Sequence, residues 1–186
     1  MAYTEQQKAY HLRKMRTRAA RLDINKDGFI SREDYEIMSK RLSEYSKLTE
    51  EQAKKIRDSV LVIADGIKLT GDTKYPVEQF AMKISQAILG NTGENNRTGL
   101  HASHNALFDV IDTNGDGHIS VEEFKVYLKV VAPDVTEDQD KHAFDVIDAD
   151  KNGEISREEF LAAAEDFFIG VEETELAAAF MGKLVD

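Results

Sequence analysis

The segment Asp112-Thr-Asn-Gly-Asp-Gly-His-Ile-Ser-Val-Glu-Glu123 places oxygen-bearing side chains at regular intervals along twelve residues. Acidic or amide groups occupy its first, third, fifth and twelfth positions, and a glycine occupies the sixth. Ca²⁺ takes six to eight oxygen ligands, and a tight loop can direct alternate side chains toward one ion. Gly117 permits the positive φ angle that the sharp turn in such a loop requires. The segment is therefore predicted to be a calcium-binding loop.

The same pattern recurs elsewhere in the chain. Phe-Asp-Val-Ile-Asp occurs at 108–112 and again at 144–148, 36 residues later, and Ile-Ser-x-Glu-Glu-Phe follows each copy. A looser copy starts at Leu22. Amphipathic segments flank each loop, so the repeating unit is a helix, a twelve-residue loop and a second helix, which is the EF-hand. Repetition at a fixed period indicates a true structural unit rather than chance turn chemistry.

Three loops are predicted to bind Ca²⁺, and we number them 1, 3 and 4 because a further hand is expected after the first. In each loop the ligands are the side chains at positions 1, 3, 5 and 12 and the backbone carbonyl at position 7. The predicted ligands are Asp23, Asn25, Asp27, Phe29 and Asp34 in loop 1, Asp112, Asn114, Asp116, His118 and Glu123 in loop 3, and Asp148, Asp150, Asn152, Glu154 and Glu159 in loop 4. Ile119 and Ile155, each at position 8, are predicted to pair as a short antiparallel sheet.

Loop 1 differs from the other two at its last ligand, which is Asp34 instead of a glutamate. Aspartate is one methylene shorter, so bidentate closure requires the following helix to move inward. The alternative is a single oxygen from Asp34 and six-coordination, which suits Mg²⁺ better. We expect Ca²⁺ at this loop, and Mg²⁺ is the alternative ion. The remaining interpretation is a loop that binds no metal.

A second hand is expected between loops 1 and 3, because EF-hands pack in pairs. The segment 65–80 occupies the right place and ends in Val-Glu-Gln-Phe, which resembles the Val-Glu-Glu-Phe after loop 3. No register of this segment gives acidic side chains at positions 1, 3 and 5 with glycine at position 6. Lys68 and Lys74 would also bring positive charge near an ion. The segment is predicted to be a structural hand without metal.

These units predict an all-α fold of four EF-hands in two pairs, packed into a compact cup with a C-terminal covering helix. Residues 1–90 form the first pair, 91–99 a Gly- and Asn-rich linker, and 100–186 the second pair with the tail. Thr49-Glu-Glu-Gln52 and Thr136-Glu-Asp-Gln139 are typical of capping boxes that start helices. The predicted helices are 4–22, 32–46, 49–64, 77–89, 101–111, 121–131, 137–147, 157–168 and 172–182.

Composition limits the function further. The net charge is −11, so general nucleic-acid binding is not expected. The chain contains no Cys, no apolar run of about 20 residues that could cross a bilayer, and no secretory h-region near its start. We therefore expect a cytoplasmic monomer without a transmembrane segment.

The segment Lys8–Arg21 has six basic residues, His11 and no acidic residue. The interpretation we favour is a basic helix that faces acidic neighbours within an acidic protein. The alternative is a surface for a membrane or an acidic partner.

Three stretches resemble one known family. Ala9-Tyr-His-Leu-Arg-Lys-Met-Arg-Thr-Arg18, Asp27-Gly-Phe-Ile-Ser-Arg-Glu-Asp-Tyr-Glu36 and the tail Gly170–Phe180 are similar to the coelenterazine-binding proteins of luminous cnidarians. The pattern of active hands 1, 3 and 4 with a silent hand 2 is similar as well. The wider relatives of that family are the sarcoplasmic calcium-binding proteins and the calcium-regulated photoproteins.

The resemblance implies a carrier rather than an enzyme. In that family the cup encloses coelenterazine, the luciferin, and protects it from oxygen, and Ca²⁺ releases it to a separate luciferase. The candidate ligand-binding residue Arg21 lies two residues before loop 1, where an inward guanidinium could hold a polar ring edge. The implied apolar contacts, each of which could equally be plain core, are Met82, Phe108, Phe144, Phe167, Phe168, Phe180 and Met181.

Three other functions compete with the carrier. A sarcoplasmic-type Ca²⁺/Mg²⁺ buffer would fill its interior with side chains, whereas a carrier needs a cavity of several hundred Å³. A self-contained photoprotein is disfavoured because that family uses His–Trp–Tyr groupings and this chain has no Trp. A calmodulin-like sensor is disfavoured because the chain has only five Met and its tail is expected to cover the groove.

Overall fold

The computed structural model of the chain describes residues 3–90, 94–181 and 184–185. Within these residues it contains nine helices and four short strands, as an all-α EF-hand fold requires. In chain order the elements are α1 (Glu5–Leu22), β1 (Phe29–Ser31), α2 (Arg32–Tyr45), α3 (Glu50–Gly66), β2 (Lys74–Pro76), α4 (Val77–Gly90), α5 (Glu94–Ile111), β3 (His118–Ser120), α6 (Val121–Val131), α7 (Glu137–Ile147), β4 (Glu154–Ser156), α8 (Arg157–Phe168) and α9 (Glu175–Ala179).

The hands pair through their loops, as the sequence predicts. Strand β1 pairs antiparallel with β2, and β3 pairs antiparallel with β4. Ile119 lies opposite Ile155, and both side chains are fully buried. Ile30 in loop 1 lies opposite Tyr75 in the second hand. Each short sheet therefore fixes two neighbouring loops at a set distance while their helices diverge into the core.

Helix α5 begins earlier than the sequence indicates. The Gly- and Asn-rich segment 91–99 is predicted to be a linker, but residues 94–99 are helical, so that prediction is wrong for this part. Residues 91–93 lie outside the described residues. Local composition is a weak guide to helix ends, because packing of a helix on its neighbours can extend it through poor helix formers. Here α5 packs against both α3 and α8.

The two halves share one interior. Helices α3 and α5 pack across the boundary between them, as do α2 and α6 and also α1 and α8. The buried apolar side chains of both halves belong to a single cluster. The assignment of 1–90 and 100–186 as separate units stays a prediction about how the chain divides.

The tail covers the core with less helix than predicted. A helix is predicted over 172–182, but α9 spans only Glu175–Ala179, and residue 182 lies outside the described residues. The covering itself is present, because Phe180, Met181 and Leu184 are buried. The Val185 amide donates to the Thr17 hydroxyl of α1 at 3.0 Å.

Basic residues of α1 hold the end of α8. The Lys14 ammonium is fully buried and donates to the carbonyl oxygens of Asp166 at 2.9 Å and Gly170 at 2.7 Å. The last carbonyls of a helix lack intrahelical partners, and a cation there also complements the helix dipole. Burial lowers the pKa of Lys14 to about 8. Nε2 of His11 lies 2.7 Å from the carbonyl oxygen of Phe168, which is the last residue of α8.

Other basic residues of α1 form ion pairs with acidic neighbours. Arg16 pairs with Glu78 at 2.6 Å, and Arg21 pairs with Asp134 at 2.5 Å. These contacts agree with the interpretation of Lys8–Arg21 as a basic helix used inside the fold.

Glycine is required at position 170. A Cβ atom there would overlap the backbone oxygen of Asp166, whereas a Cβ at Gly99 in α5 would meet nothing within 4 Å. We predict that Gly170→Ala lowers the free energy of unfolding by about 1–3 kcal/mol, since backbone must shift to admit the methyl group. Gly99→Ala should raise it by about 0.5–1 kcal/mol, because alanine costs less entropy in a helix. Urea unfolding of both variants tests this, and equal effects would contradict it.

Candidate calcium sites and interior cavity

The active loops are organised by hydrogen bonds from backbone amides to the predicted ligand side chains. In loop 4, the Asp148 carboxylate accepts from the amides of Asn152 at 3.2 Å and Gly153 at 3.0 Å. Asn152 in turn accepts from the Glu154 amide at 2.8 Å. Gly153 has a φ of 91°, which gives the predicted sharp turn. These bonds hold the ligand oxygens on the inside of the turn.

Loop 4 also brings three carboxylates together. One oxygen from each of Asp148, Asp150 and Glu159 lies within 4.8 Å of the other two. Hard oxygen ligands at this spacing are the set that Ca²⁺ prefers. The sequence alone identifies all three residues, because the loop spacing determines their positions.

The carboxylate at position 12 connects the two ends of its loop. Glu159 accepts from the Ala149 amide at 2.9 Å with one oxygen, and from the amide and hydroxyl of Ser156 at 2.8 and 2.7 Å with the other. Burial alone would raise the pKa of Glu159, but these hydrogen bonds outweigh it and lower the pKa. Glu123 makes the equivalent bonds in loop 3, to Thr113 at 2.9 Å and Ser120 at 3.0 Å.

Asp34 makes the same connection in loop 1 despite its shorter side chain. Its carboxylate accepts from the Ile24 amide at 3.0 Å and from the Ser31 amide at 2.9 Å. Asp34 is fully buried, whereas Glu123 and Glu159 are half-buried. Burial raises the pKa of Asp34, against the lowering effect of its hydrogen bonds. The start of α2 therefore lies close enough for the short side chain to close the loop, while the choice between Ca²⁺ and Mg²⁺ stays a prediction.

The strand pairing defines the register of the silent loop. Because Tyr75 lies opposite Ile30, it occupies position 8, and loop 2 runs from Lys68 to Gln79. In this register positions 1 and 7 are lysines, and Asp72 at position 5 is the single acidic residue at a ligand position. The Lys74 ammonium lies 4.4 Å from the centroid of the Phe29 ring. The second hand thus keeps the pairing of an EF-hand without its ligand set.

A small cavity lies where the inner helices meet. About 30 Å³ of it is open to the centre of a water molecule, which is room for one or two waters. The wall combines apolar side chains with several polar ones. Its residues are Arg18, Arg21, Leu22, Tyr35, Met38, Ile63, Ser103, His104, Leu107, Tyr127, Val131 and Met181.

Two polar groups of this wall have no hydrogen-bond partner among the described residues. They are the Tyr35 hydroxyl and Nε2 of His104, and both are buried. Nδ1 of His104 lies 2.9 Å from the Leu100 carbonyl oxygen, which can only accept, so Nδ1 carries the proton. Nε2 is left as an acceptor at the cavity. Burial, with a contribution from Arg18, lowers the pKa of His104 to about 3, so the ring is neutral at physiological pH.

The structure divides the residues implied as ligand contacts into three groups. Arg21 and Met181 line the cavity. The aromatic residues are buried in the core instead of the wall; Phe168 and Phe180 flank the His104 ring at 4.8 and 6.2 Å, and Phe144 packs on Phe124. The remaining two rings of this buried set are Phe108 and Phe167.

Met82 does not belong to the interior. Its side chain is 42% exposed, so the expectation that it faces the cavity is wrong. The inner side of α4 is formed by other residues, among them Phe80, Ala81 and Ser85. Met82 lies next to that face in sequence, and its side chain points away from it. Its apolar character alone does not reveal this direction.

Sequence reasoning missed most of the polar wall. His104 lies on the apolar stripe of α5, which is a detectable signal for an inward histidine. Tyr35 and Tyr127 give no such signal, because aromatic residues after an EF-hand loop are usually interpreted as core residues.

No helix among the described residues is both long and apolar enough to span a membrane.

Comparison with known proteins agrees with this architecture. An EF-hand domain-pair model matches residues 103–165, and an EF-hand model matches residues 20–39. The fold and loops thus define an EF-hand calcium-binding protein. The chain is 42% identical over 182 residues to the luciferin-binding protein of Renilla reniformis, covering 98% of each. It belongs to the family of that luciferin-binding protein.

Two further similarities place the chain within this group. The calcium-loaded apo form of the coelenterazine-binding protein from Renilla muelleri superposes with a TM-score of 0.91 at 42% identity, covering 98% of this chain and 100% of that one. A sarcoplasmic calcium-binding protein of Perinereis vancaurica tetradentata is 33% identical over 176 residues, 94% of this chain and 98% of that protein.

Removing Asp34 should remove one metal site. We predict that Asp34→Ala reduces the number of Ca²⁺ ions bound from three to two, because loop 1 loses its closing oxygens. Asp34→Glu should keep three and favour Ca²⁺ over Mg²⁺ at loop 1, since the longer side chain can bind through both oxygens. Isothermal titration with each ion measures both effects. Three ions bound by Asp34→Ala would contradict the ligand assignment.

The neutral His104 predicts a loss of stability in acid. The unfolded chain takes up a proton near pH 6.5 whereas the folded chain does so near pH 3, so the stability that His104 contributes falls as pH falls through this window. His104→Phe removes this dependence. Relative to that variant, the free energy of unfolding of the native protein should fall by about 1.4 kcal/mol for each pH unit between pH 6 and 4.5.

Urea unfolding in calcium-free buffer at several pH values measures this difference. The control is His142→Phe, because the His142 side chain is 60% exposed and lies outside the cavity wall. Parallel pH profiles for the native protein and His104→Phe would contradict the prediction.

Proposed function

We propose that this protein is a calcium-triggered carrier of coelenterazine, which it binds in its interior and releases when loops 1, 3 and 4 take up Ca²⁺. Family membership supports the ligand class. The observation that carries the proposal in this chain is the pair of buried, unpartnered polar groups, Tyr35 Oη and His104 Nε2, at the wall of the cavity. Such groups cost stability unless something bonds them, so their presence favours a site for a ligand with polar edges.

The chemistry of the wall suits an aromatic ligand that carries hydroxyl and carbonyl groups. His104 Nε2 can accept a hydrogen bond from a ligand O–H or N–H, and the Tyr35 hydroxyl can donate or accept. Arg18 and Arg21 supply guanidinium donors for a carbonyl oxygen. Apolar side chains such as Met38 complete the wall. A wall that is mostly apolar with a few convergent polar groups is typical of small-molecule sites.

The volume of the cavity is that of a contracted interior. Sites for ligands of this size are roughly 300–1,000 Å³, whereas about 30 Å³ is open here. Enclosing coelenterazine therefore requires the walls to move apart. The close superposition on a calcium-loaded apo relative agrees with a contracted conformation that follows release. Calcium and luciferin would then favour different conformations, and each would weaken the binding of the other.

The loops are positioned to move these walls. Leu22 precedes the first ligand of loop 1, and Tyr35 follows its last. Leu107 lies just over one turn before loop 3, and Tyr127 about one turn after it. Loop 4 acts indirectly, because Phe160 and Phe168 of α8 pack around the His104 ring. Closure of a loop on Ca²⁺ changes the angle between its two helices and thereby the cavity between them.

A second candidate is the sarcoplasmic-type Ca²⁺/Mg²⁺ buffer without an organic ligand. The small cavity and the sarcoplasmic relative at 33% identity favour it. The cavity volume alone does not separate the two functions, because a carrier after release is contracted as well. The unpartnered polar groups favour the carrier, because a buffer does not need polar groups at a cavity wall.

We propose further that the protein acts as a cytoplasmic monomer, that it does not oxidise the luciferin, and that a separate luciferase receives the released molecule. The absence of Trp supports a carrier without the His–Trp–Tyr groupings of photoproteins. The loaded protein alone should therefore emit no light on addition of Ca²⁺. A flash from the pure loaded protein would overturn this part.

Reconstitution tests the carrier function directly. Calcium-free protein mixed with coelenterazine should show a shifted absorbance band that disappears on addition of Ca²⁺. Tyr35→Phe, which removes only the hydroxyl, should weaken luciferin binding about fivefold to tenfold, the loss of one hydrogen bond. Tyr45→Phe is the matched control, because Tyr45 is 43% exposed. No band with the refolded native protein would leave the buffer as the function.

A further inference from the structure

A second, larger depression lies outside the central cavity, on the seam where α3 packs against α5. This groove has a volume of about 540 Å³ and is open to solvent. Its walls are apolar or small, and Val62 on its α3 side is 65% exposed. The residues of the groove are Val62, Ile63, Gly66, Ile67, Gly99, Leu100, Ala102, Ser103 and Ala106.

The groove and the cavity share part of their walls. Ile63 of α3 and Ser103 of α5 line both of them, and both residues are half-buried. A barrier one side chain thick on each helix therefore separates the cavity from solvent at this seam. The depression beside the tail, lined by Arg13, His142 and Ala178 among others, shares no lining residue with the cavity.

The α5 side of the seam offers little to interlock with α3. Gly99, Ala102, Ser103 and Ala106 follow one another at spacings of three, one and three residues, so they lie on one helical face. Side chains of this size leave shallow ridges. Two helices in contact through such a face can separate with little loss of packing.

Calcium acts unequally on the two helices of the seam. Helix α5 leads into loop 3, whose first ligand is Asp112, whereas α3 leads into the silent loop 68–79. Helix α5 is also tied to α8 of hand 4, through Asp109 and Arg157 at 2.7 Å. Metal at loops 3 and 4 can thus act directly on α5 and α8, whereas hand 2 has no ion of its own to act on α3.

Resting on the proposed function, we infer that the α3–α5 seam is the passage through which the luciferin enters and leaves, and that the silent second hand provides its stationary side. During the change to the contracted conformation, a transient movement of α5 away from α3 parts Ile63 from Ser103. The same movement shifts His104, the neighbour of Ser103, and withdraws its acceptor from the ligand. The luciferin then leaves along the apolar groove.

Filling the groove tests this passage. Ala102 is exposed and lines the groove but not the cavity, so Ala102→Trp adds bulk on the path and leaves the binding site intact. In calcium-free protein, stopped-flow mixing with coelenterazine should show association and dissociation slowed at least tenfold by a common factor. The dissociation constant should stay within about twofold, since an obstacle raises the barrier without changing either end state. Release after addition of Ca²⁺ should slow as well.

The matched control is Ala178→Trp, which fills the depression beside the tail and should leave the rates unchanged. If Ala178→Trp slows release and Ala102→Trp does not, the passage lies under the tail and the inference is overturned. Unchanged rates for Ala102→Trp, or slower rates with a matching change in affinity, overturn it equally. Ala106→Leu is a smaller addition to the same groove in case the tryptophan variant does not fold, as judged by its Ca²⁺ stoichiometry.

A failure of the passage and a failure of the carrier function give different results. If the native protein binds no coelenterazine, the carrier function fails and the passage falls with it. If the native protein binds and releases the luciferin while Ala102→Trp matches its rates, the carrier stands and the passage alone is excluded.

Discussion

The carboxylate at the twelfth position of each active loop is the interaction on which the rest of the structure depends. In loop 4 it accepts hydrogen bonds from the start of the loop, through Ala149, and from Ser156, the residue that caps the helix that follows. It therefore sets the angle between the entering and leaving helices. The helices that flank loops 1 and 3 supply most of the cavity wall, so the closing carboxylates of these two loops lie about one turn or less from wall residues. In loop 1 the two are neighbours in sequence, because Asp34 is the closing ligand and Tyr35 lines the cavity.

The inequality of the four hands follows from the same interaction. Glu123 and Glu159 close their loops while half-buried, whereas Asp34 reaches the equivalent amides only because α2 starts deeper in the fold. The second hand has no closing carboxylate and is held by strand pairing and by the buried Leu69. Ion binding can therefore act directly on three hands, and on the second hand only through its neighbours.

Polar groups in the interior distinguish this chain from a protein built for stability alone. The Tyr35 hydroxyl and His104 Nε2 lie at the cavity without a partner among the described residues. An apolar core would avoid their desolvation cost, which is about 1–3 kcal/mol for each unpaired group. The buried Lys14 and His11 differ from them, because each bonds carbonyl oxygens at the end of α8. The interior thus contains polar residues of two kinds, those that hold the structure together and those that face an open space.

The sequence by itself determined the loops, the pairing of Ile119 with Ile155 and most helix bounds, because each depends on residues close together in the chain. A calcium loop needs its ligands at fixed positions within twelve residues, and a capping box such as Thr136–Gln139 lies within one turn. Only the tertiary structure decided that 94–99 continue α5, that Met82 faces solvent and that Tyr35 and His104 face the cavity. Residues that line the cavity and residues that pack in the core have the same apolar sequence pattern. They differ only in whether side chains from other elements fill the space opposite them. That difference arises when separate helices and the tail meet, which no local stretch of sequence records.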